Sequence, residues 1–274
     1  MTADAWDPGQ YERFRAERSR PFHDLAALVD ARPGMRALDL GCGTGALTRQ
    51  LHDQLGARTT LGVDTSEAML ARCAEHAGGG LSFVQGDLAE PAGWGSGGDF
   101  DLVFSNAALH WVEDHPSLLG GLVRLLAPAG QLAIQVPANH GHVSQTVAVD
   151  VARREPFAEA LSGYVRESPV LEAVDYAQRL HALGLADVHA SLRVYLHELP
   201  DRGAVLEWMR GTTLTDYQRR MPAGLFDEYL AVYAAELRAQ LPDQRPFLFP
   251  FQRILFAGSL SARDRGLPGW HSGA

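Results

Sequence analysis

Short apolar runs alternate with amphipathic stretches through the first half of the chain. MRALDL (35–40), TTLGVD (59–64), LSFVQGD (81–87), FDLVFSN (100–106) and QLAIQVP (131–137) each read as a buried strand. Between them, residues 45–55 carry Leu47, Leu51 and Leu55 at helical spacing. Residues 66–76 and 115–126 read as further helices, the latter closed by Ala127-Pro128-Ala129-Gly130. A helical stretch over 10–30 stops before Arg32-Pro33-Gly34. Strands alternating with short helices predict an α/β fold, a doubly wound, Rossmann-like and mostly parallel sheet. Its ligands belong beyond the carboxyl ends of the strands.

The second half has a different rhythm. Residues 143–183 read as helical, interrupted at Pro156 and Pro169. LRVYLHEL (192–199) reads as a strand, 203–211 and 224–240 as helices, and 247–260 as a last strand-like run. In 224–240, Phe226, Tyr229, Leu230, Tyr233 and Leu237 recur at helical spacing. The expected architecture has seven strands, an N-terminal helical lid (1–32) and a core over 33–140. A helical cap with the final strands follows over 141–262, then a tail over 263–274.

Composition narrows the chemistry. The 274 residues carry a formal net charge of −9, which argues against a broad basic surface for nucleic acid. No lysine occurs, so all 24 basic residues are arginine and no catalytic or phosphate-binding lysine is possible. Two cysteines, Cys42 and Cys73, are too few for a disulfide framework or a zinc site, and no H-x-x-x-H spacing occurs, so no metal is expected. The polar N-terminus does not resemble a signal peptide, and no apolar run approaches the ~20 residues of a membrane span. The expectation is a cytoplasmic protein with no membrane partner, a monomer or homodimer.

The densest chemical signal is LDLGCGTGALT, residues 38–48, a glycine-rich turn between a strand and a helix. Two cofactor classes use such a turn. Gly41, Gly43 and Ala46 satisfy G-x-G-x-x-A, with Asp64 at the distance of a dinucleotide's ribose ligand. Asp39, Gly41, Gly43 and Gly45 also satisfy D-x-G-x-G-x-G, the S-adenosylmethionine (SAM) pattern. An acid at 39 suits a cationic ligand and would repel a pyrophosphate. A P-loop is excluded because no Gly-Lys-Ser/Thr follows. Asp64 ends the second strand, where a carboxylate accepts ribose hydroxyls. Asp87 ends the third, where it takes an adenine amino hydrogen. SNAALHW (105–111) lies beyond the fourth, and His110 there is the candidate general base, with helix-start packing as its alternative.

These stretches resemble class I SAM-dependent methyltransferases, and more narrowly the trans-aconitate methyltransferase family. WDPGQYERFRAERSRPF is similar to that family's W-x-P-x-x-Y-x-x-F-x-x-E-R-x-R-P. GVDTSEAML, NAALHWVEDH, GQLAIQVPAN and FPFQRILFA resemble its later motifs. The resemblance implies SAM as cofactor, S-adenosylhomocysteine as product and a small-molecule methyl acceptor. It implies cofactor contacts from Asp39, Gly41, Cys42, Gly43, Asp64, Thr65, Met69, Gly86, Asp87, Leu88 and Asn106. Tyr11 and Arg20 would close over the cofactor from a lid. Tyr11, His110 and Trp111 would face the acceptor. Trp208 in the cap is a further acceptor-lining candidate, with core packing as its alternative. Two motifs depart from the family. ASLRVYLHEL lacks a Trp and paired Thr, and Thr213-Leu214-Thr215-Asp216 replaces G-L-R-P, losing an Arg and gaining an acid. The acceptor is therefore either a trans-aconitate-like acid or a secondary metabolite. A nicotinamide-dependent oxidoreductase and a non-methylating SAM-fold binding protein or cyclase are the other readings.

Overall fold

The computed structural model describes residues 15–95 and 97–261. Tyr11, most of the N-terminal motif and the tail over 263–274 lie outside the described residues. The chain divides into two compact units. A sheet unit comprises Arg20–Val136, Leu171–Ser191 and the chain from Ile254 onward. A helical unit comprises Pro137–Val170, Leu192–Arg253 and the chain up to Ser19.

The five early strands are β1 (Arg36–Leu40), β2 (Thr59–Asp64), β3 (Leu81–Gln85), β4 (Phe100–Asn106) and β5 (Leu126–Pro137). With β6 (Leu185–Leu199) and β7 (Phe247–Leu260) they make one seven-stranded sheet in the order β3-β2-β1-β4-β5-β7-β6. β1 pairs in parallel with both β2 and β4. The connection order reverses between those neighbours, so the crevice that doubly wound sheets offer to ligands opens beyond the ends of β1 and β4. The strands bury both faces, with Leu38, Leu40, Val63, Val103, Phe104, Leu132 and Ile134 all inaccessible to solvent.

Helix α1 (Arg15–Ala26) sets Phe22 edge-on to Phe104 at 5.5 Å. Helix α2 (Ala46–Leu55) buries Leu51 and Leu55 as its spacing predicts. It also buries two polar residues, Thr48 and His52. The His52 ring meets Thr60 Oγ1 at 2.8 Å and the Gly79 carbonyl at 3.1 Å, so burial leaves neither nitrogen unsatisfied. Helix α3 (Glu67–Cys73) is capped by the Ser66 hydroxyl, and α4 (His115–Arg124) by Asp114, which accepts the Ser117 amide at 3.0 Å.

Several boundaries differ from the sequence expectation. β5 starts at Leu126, because Ala127-Pro128-Ala129-Gly130 forms an irregularity inside the strand, with Ala129 at φ 58°, rather than a helix stop. The helical reading of 143–183 resolves into α5 (Val143–Ala152), α6 (Phe157–Ala160) and α7 (Ala173–Ala182). Ser162 and Gly163 both take positive φ and end the second piece. β6 begins at Leu185, seven residues before the 192–199 run.

In the helical unit, α8 (Gly203–Arg210), α9 (Leu214–Arg220) and α10 (Ala223–Gln240) pack with α5. α10 buries Phe226, Tyr229, Tyr233 and Leu237. The Tyr229 and Tyr233 hydroxyls donate to the Ala148 and Ser144 carbonyls at 2.8 and 2.9 Å. Burial holds both phenols well above the usual tyrosine range. Trp208 is 2% exposed and stacked on His197 at 5.0 Å within this core.

Candidate functional site at the carboxyl ends of β1 to β4

The site begins where β1 stops. Gly41, at φ +80°, turns the chain so that its own amide and that of Cys42 both donate to the Val63 carbonyl, at 2.8 and 3.0 Å. A Cβ at Gly41 would lie 2.0 Å from the Cβ of Ala108. No other residue type therefore lets the β1 turn and the segment after β4 approach so closely. Gly43, at φ +57°, has nothing within 4 Å of where a Cβ would point, so this face of the loop is open.

Two carboxylates organise the loop. Asp64, at the end of β2, accepts the Gly43 amide on Oδ2 at 2.8 Å and the Ser66 amide on Oδ1 at 2.9 Å. Both oxygens thus tie the end of β2 to the glycine loop and to the start of the next helix. Asp39 is 5% exposed. Burial raises its carboxyl to about 7, the charge of Asp64 pushes the same way, and a 2.6 Å hydrogen bond donated by Thr48 Oγ1 opposes both. The two carboxyls are close enough for the charge of Asp64 to raise Asp39, so a cation added beside them would be favoured and a diphosphate disfavoured.

The neighbouring strand ends complete the surroundings. Gly86 donates its amide to the Asp64 carbonyl at 3.0 Å, and the Trp94 ring covers it so closely that no Cβ would fit. Asp87 is exposed and accepts the Ala89 amide at 2.9 Å. Leu88 and Met69 are buried apolar side chains. Thr65 is exposed, and its carbonyl takes the Gln85 side-chain amide at 3.1 Å. Burial and a hydrogen bond with the Cys73 thiol hold the Cys42 thiol far above the usual range, the hydrogen bond being the larger cause, and Cys73 Sγ donates to the Gly43 carbonyl at 3.2 Å. Cys42 thus fills space beneath the loop.

Beyond β4, Asn106 Oδ1 is buried and meets no donor among the described residues. The chain then forms a single 3-10 turn, Leu109–Trp111, with the His110 and Trp111 rings 4.9 Å apart and both half-buried. Arg20 lies exposed on α1 of the same unit, whereas Trp208 belongs to the helical unit's core. Among the described residues no group of His, Cys, Asp and Glu is gathered closely enough to hold a metal ion. No described helix is long and apolar enough to cross a membrane.

Sequence reasoning missed three residues. Thr48 sits on the helix after the glycine loop, and its only sequence signal is a hydroxyl nine residues after Asp39. His115 and Tyr176 form a buried hydrogen bond across 61 residues of chain, which no local pattern announces. The acid gained at Asp216 also has a local explanation. It accepts from the Tyr164 hydroxyl at 2.5 Å and from Arg220 Nε at 3.2 Å, with Arg166 at 4.0 Å.

Comparison with known proteins agrees with this geometry. Residues 38–134, which run from β1 into β5, match a methyltransferase domain family. The chain is 41% identical over 260 residues to the trans-aconitate 2-methyltransferase of Deinococcus radiodurans, covering 93% of this chain and 98% of that protein. It belongs to the trans-aconitate 2-methyltransferase family. The family's member in Streptomyces coelicolor is 38% identical over 266 residues, covering 92% of this chain and 86% of that one. The fold is similar to that of YcgJ from Bacillus subtilis, with TM-score 0.57, 16% identity, and coverage of 89% of this chain and 99% of that one. It is also similar to phosphoethanolamine N-methyltransferase 2 of Haemonchus contortus, solved with S-adenosyl-L-methionine, with TM-score 0.53, 20% identity, and coverage of 89% and 52%.

Membership in this family makes the chain a SAM-dependent methyltransferase rather than a nicotinamide-dependent oxidoreductase. The residues present fit that cofactor. The loop is open at Gly43, the acid pair suits a cation, and Asn106 offers a buried acceptor without a partner among the described residues.

Proposed function

We propose that this chain methylates a carboxylate of a small polycarboxylic acid of the trans-aconitate type. The single observation that carries the reading is the length and depth of its likeness to proteins bearing that name, 41% identity over 93% of the chain. When bound, SAM would supply an electrophilic methyl group on a sulfonium for the acceptor oxygen, with the thioether as leaving group. The protein's work is then alignment.

Asp39 faces the cofactor's ammonium group, and Gly41 and Gly43 let the backbone approach its amino-acid tail. Asp64 accepts the ribose hydroxyls, and Asp87 takes the adenine amino hydrogen. Gly86, Leu88, Met69 and Thr65 bound the adenosine, and Asn106 accepts a hydrogen from the ligand. His110 and Trp111 face the acceptor. A carboxylate is already ionised at pH 7, so His110 orients the acceptor by a hydrogen bond and abstracts no proton.

The test is methyl transfer from isotopically labelled SAM to a panel of unsaturated tricarboxylates, phenols and amines. The expected product is an alkali-labile ester of the tricarboxylate. Transfer confined to a phenol or an amine would overturn the acceptor assignment and leave the family intact.

A further inference from the structure

Beyond the acceptor-facing turn lies a chain of buried hydrogen bonds whose direction the structure fixes. His115 is 2% exposed, at the start of α4. Its Nε2 lies 2.9 Å from the carbonyl oxygen of Leu109, and its Nδ1 lies 2.5 Å from the hydroxyl of Tyr176, which is fully buried on α7. A carbonyl can only accept, so Nε2 carries the hydrogen. Burial holds the imidazole below its ordinary range, against the opposing pull of the Leu109 hydrogen bond and the Asp114 charge, so the ring is neutral. A neutral ring protonated at Nε2 accepts at Nδ1, so the Tyr176 hydroxyl donates there. The same hydroxyl oxygen accepts the Leu171 amide at 3.2 Å. Phe256 stacks on Tyr176 at 4.1 Å and 11°, fixing the phenol ring.

The relay therefore runs from the Leu171 amide through Tyr176 and His115 to the Leu109 carbonyl. Its last member belongs to the turn that carries His110 and Trp111. Trp111 and Val112 close that turn with their amides on the Ala108 and Leu109 carbonyls, at 3.1 and 2.9 Å. A one-turn 3-10 segment has little stability of its own, and its anchor comes from outside the segment. A buried, fully satisfied side-chain network rigidifies what it touches.

We propose that His115, held by Tyr176, is the positioning residue for the acceptor-facing turn, setting His110 and Trp111 for methyl transfer without touching either ligand. This rests on the reading that the turn faces the acceptor. It concerns acceptor use rather than cofactor binding, because the glycine loop and Asp64 make no bond to His115 in the network described.

The test uses the full chain with His115→Leu, His115→Gln and Tyr176→Phe. His115→Leu should lower kcat/KM for the acceptor about tenfold, the scale of one lost buried hydrogen bond, leaving the Leu109 carbonyl with the Val112 amide as its remaining donor. The SAM dissociation constant, by calorimetry, should stay within about twofold. His115→Gln, which can still donate to the Leu109 carbonyl, should recover most of the loss. Amide hydrogen exchange at Trp111 and Val112 should accelerate in His115→Leu and Tyr176→Phe while Gly41 and Cys42 stay protected. Unchanged acceptor kinetics in His115→Leu, or equal losses for SAM and acceptor, would overturn the proposal. Should His115→Leu fail to fold, unaltered exchange at Val112 in Tyr176→Phe would overturn it as well. Absence of transfer by the unsubstituted protein to any acceptor would instead count against the proposed function, and the exchange experiment would still decide whether the clamp exists.

Discussion

Thr48 Oγ1 lies 2.6 Å from Asp39 Oδ2, a hydrogen bond between the helix after the glycine loop and the strand before it. It is a charge-assisted bond to a carboxylate that burial drives toward neutrality. Keeping an acid at this buried position carries a cost in stability.

That cost has a sign that can be measured. The Asp39 carboxyl titrates at about 7 in the fold against 3.8 ordinarily, so between these values the folded state holds more protons than the unfolded chain. Stability is then greatest at the acid end of the window and falls as pH rises through about 7. Asp39→Asn removes the penalty and should be the more stable protein at pH 8, by up to roughly 4 kcal/mol. The gap should narrow toward pH 5, and SAM should bind the variant more weakly. Urea melts at the two pH values check this, and a variant less stable than the parent at pH 8 would contradict it.

Asp64→Ala releases two backbone amides, those of Gly43 and Ser66, as well as any ligand hydroxyl. We expect SAM affinity to fall about tenfold or more, with a stability loss of roughly 1–3 kcal/mol. Calorimetric titration measures the first, and unchanged affinity would remove Asp64 from the cofactor site.

Gly41→Ala meets both a positive φ and the Ala108 side chain. The expected destabilisation is about 2–4 kcal/mol. Adding Ala108→Gly removes the collision but not the backbone strain, so the double variant should regain only part of the loss. Gly43→Ala faces open space and should cost about 1 kcal/mol of stability, with its main effect on ligand affinity. Thermal melts with and without SAM separate the two glycines, and equal melting points would refute the distinction.

In the helical unit, Tyr229→Phe removes the buried side-chain donor to the Ala148 carbonyl. A loss of about 1–3 kcal/mol is expected, with SAM affinity unaltered. Chemical denaturation gives the first number and calorimetry the second.

Local pattern was informative where the structural cause is local. β1 and β2 follow apolar runs of the right length, and the loop from Gly41 to Gly45 advertises its backbone conformation through residue type. The reading blurred where one residue does a job that another type usually does. Ala129 at φ 58° keeps β5 going through a sequence that looks like a stop, and 185–191, which shows no clean alternation, is strand because β7 supplies its partner. The site was half legible. Its acids stand at strand ends, where their positions carry meaning. Thr48, His115 and Tyr176 act through partners 9 and 61 residues away, and only the folded chain brings those together.

The touching pair Gly41 and Ala108 also dictates a timetable. The ribosome releases the glycine turn together with β2, its first neighbour, but the opposite wall arrives only after β4 and Ala108 have cleared the exit tunnel. A nascent chain arrested earlier holds the glycine turn without the Ala108 wall that packs against it, so that part of the fold closes only once both have emerged.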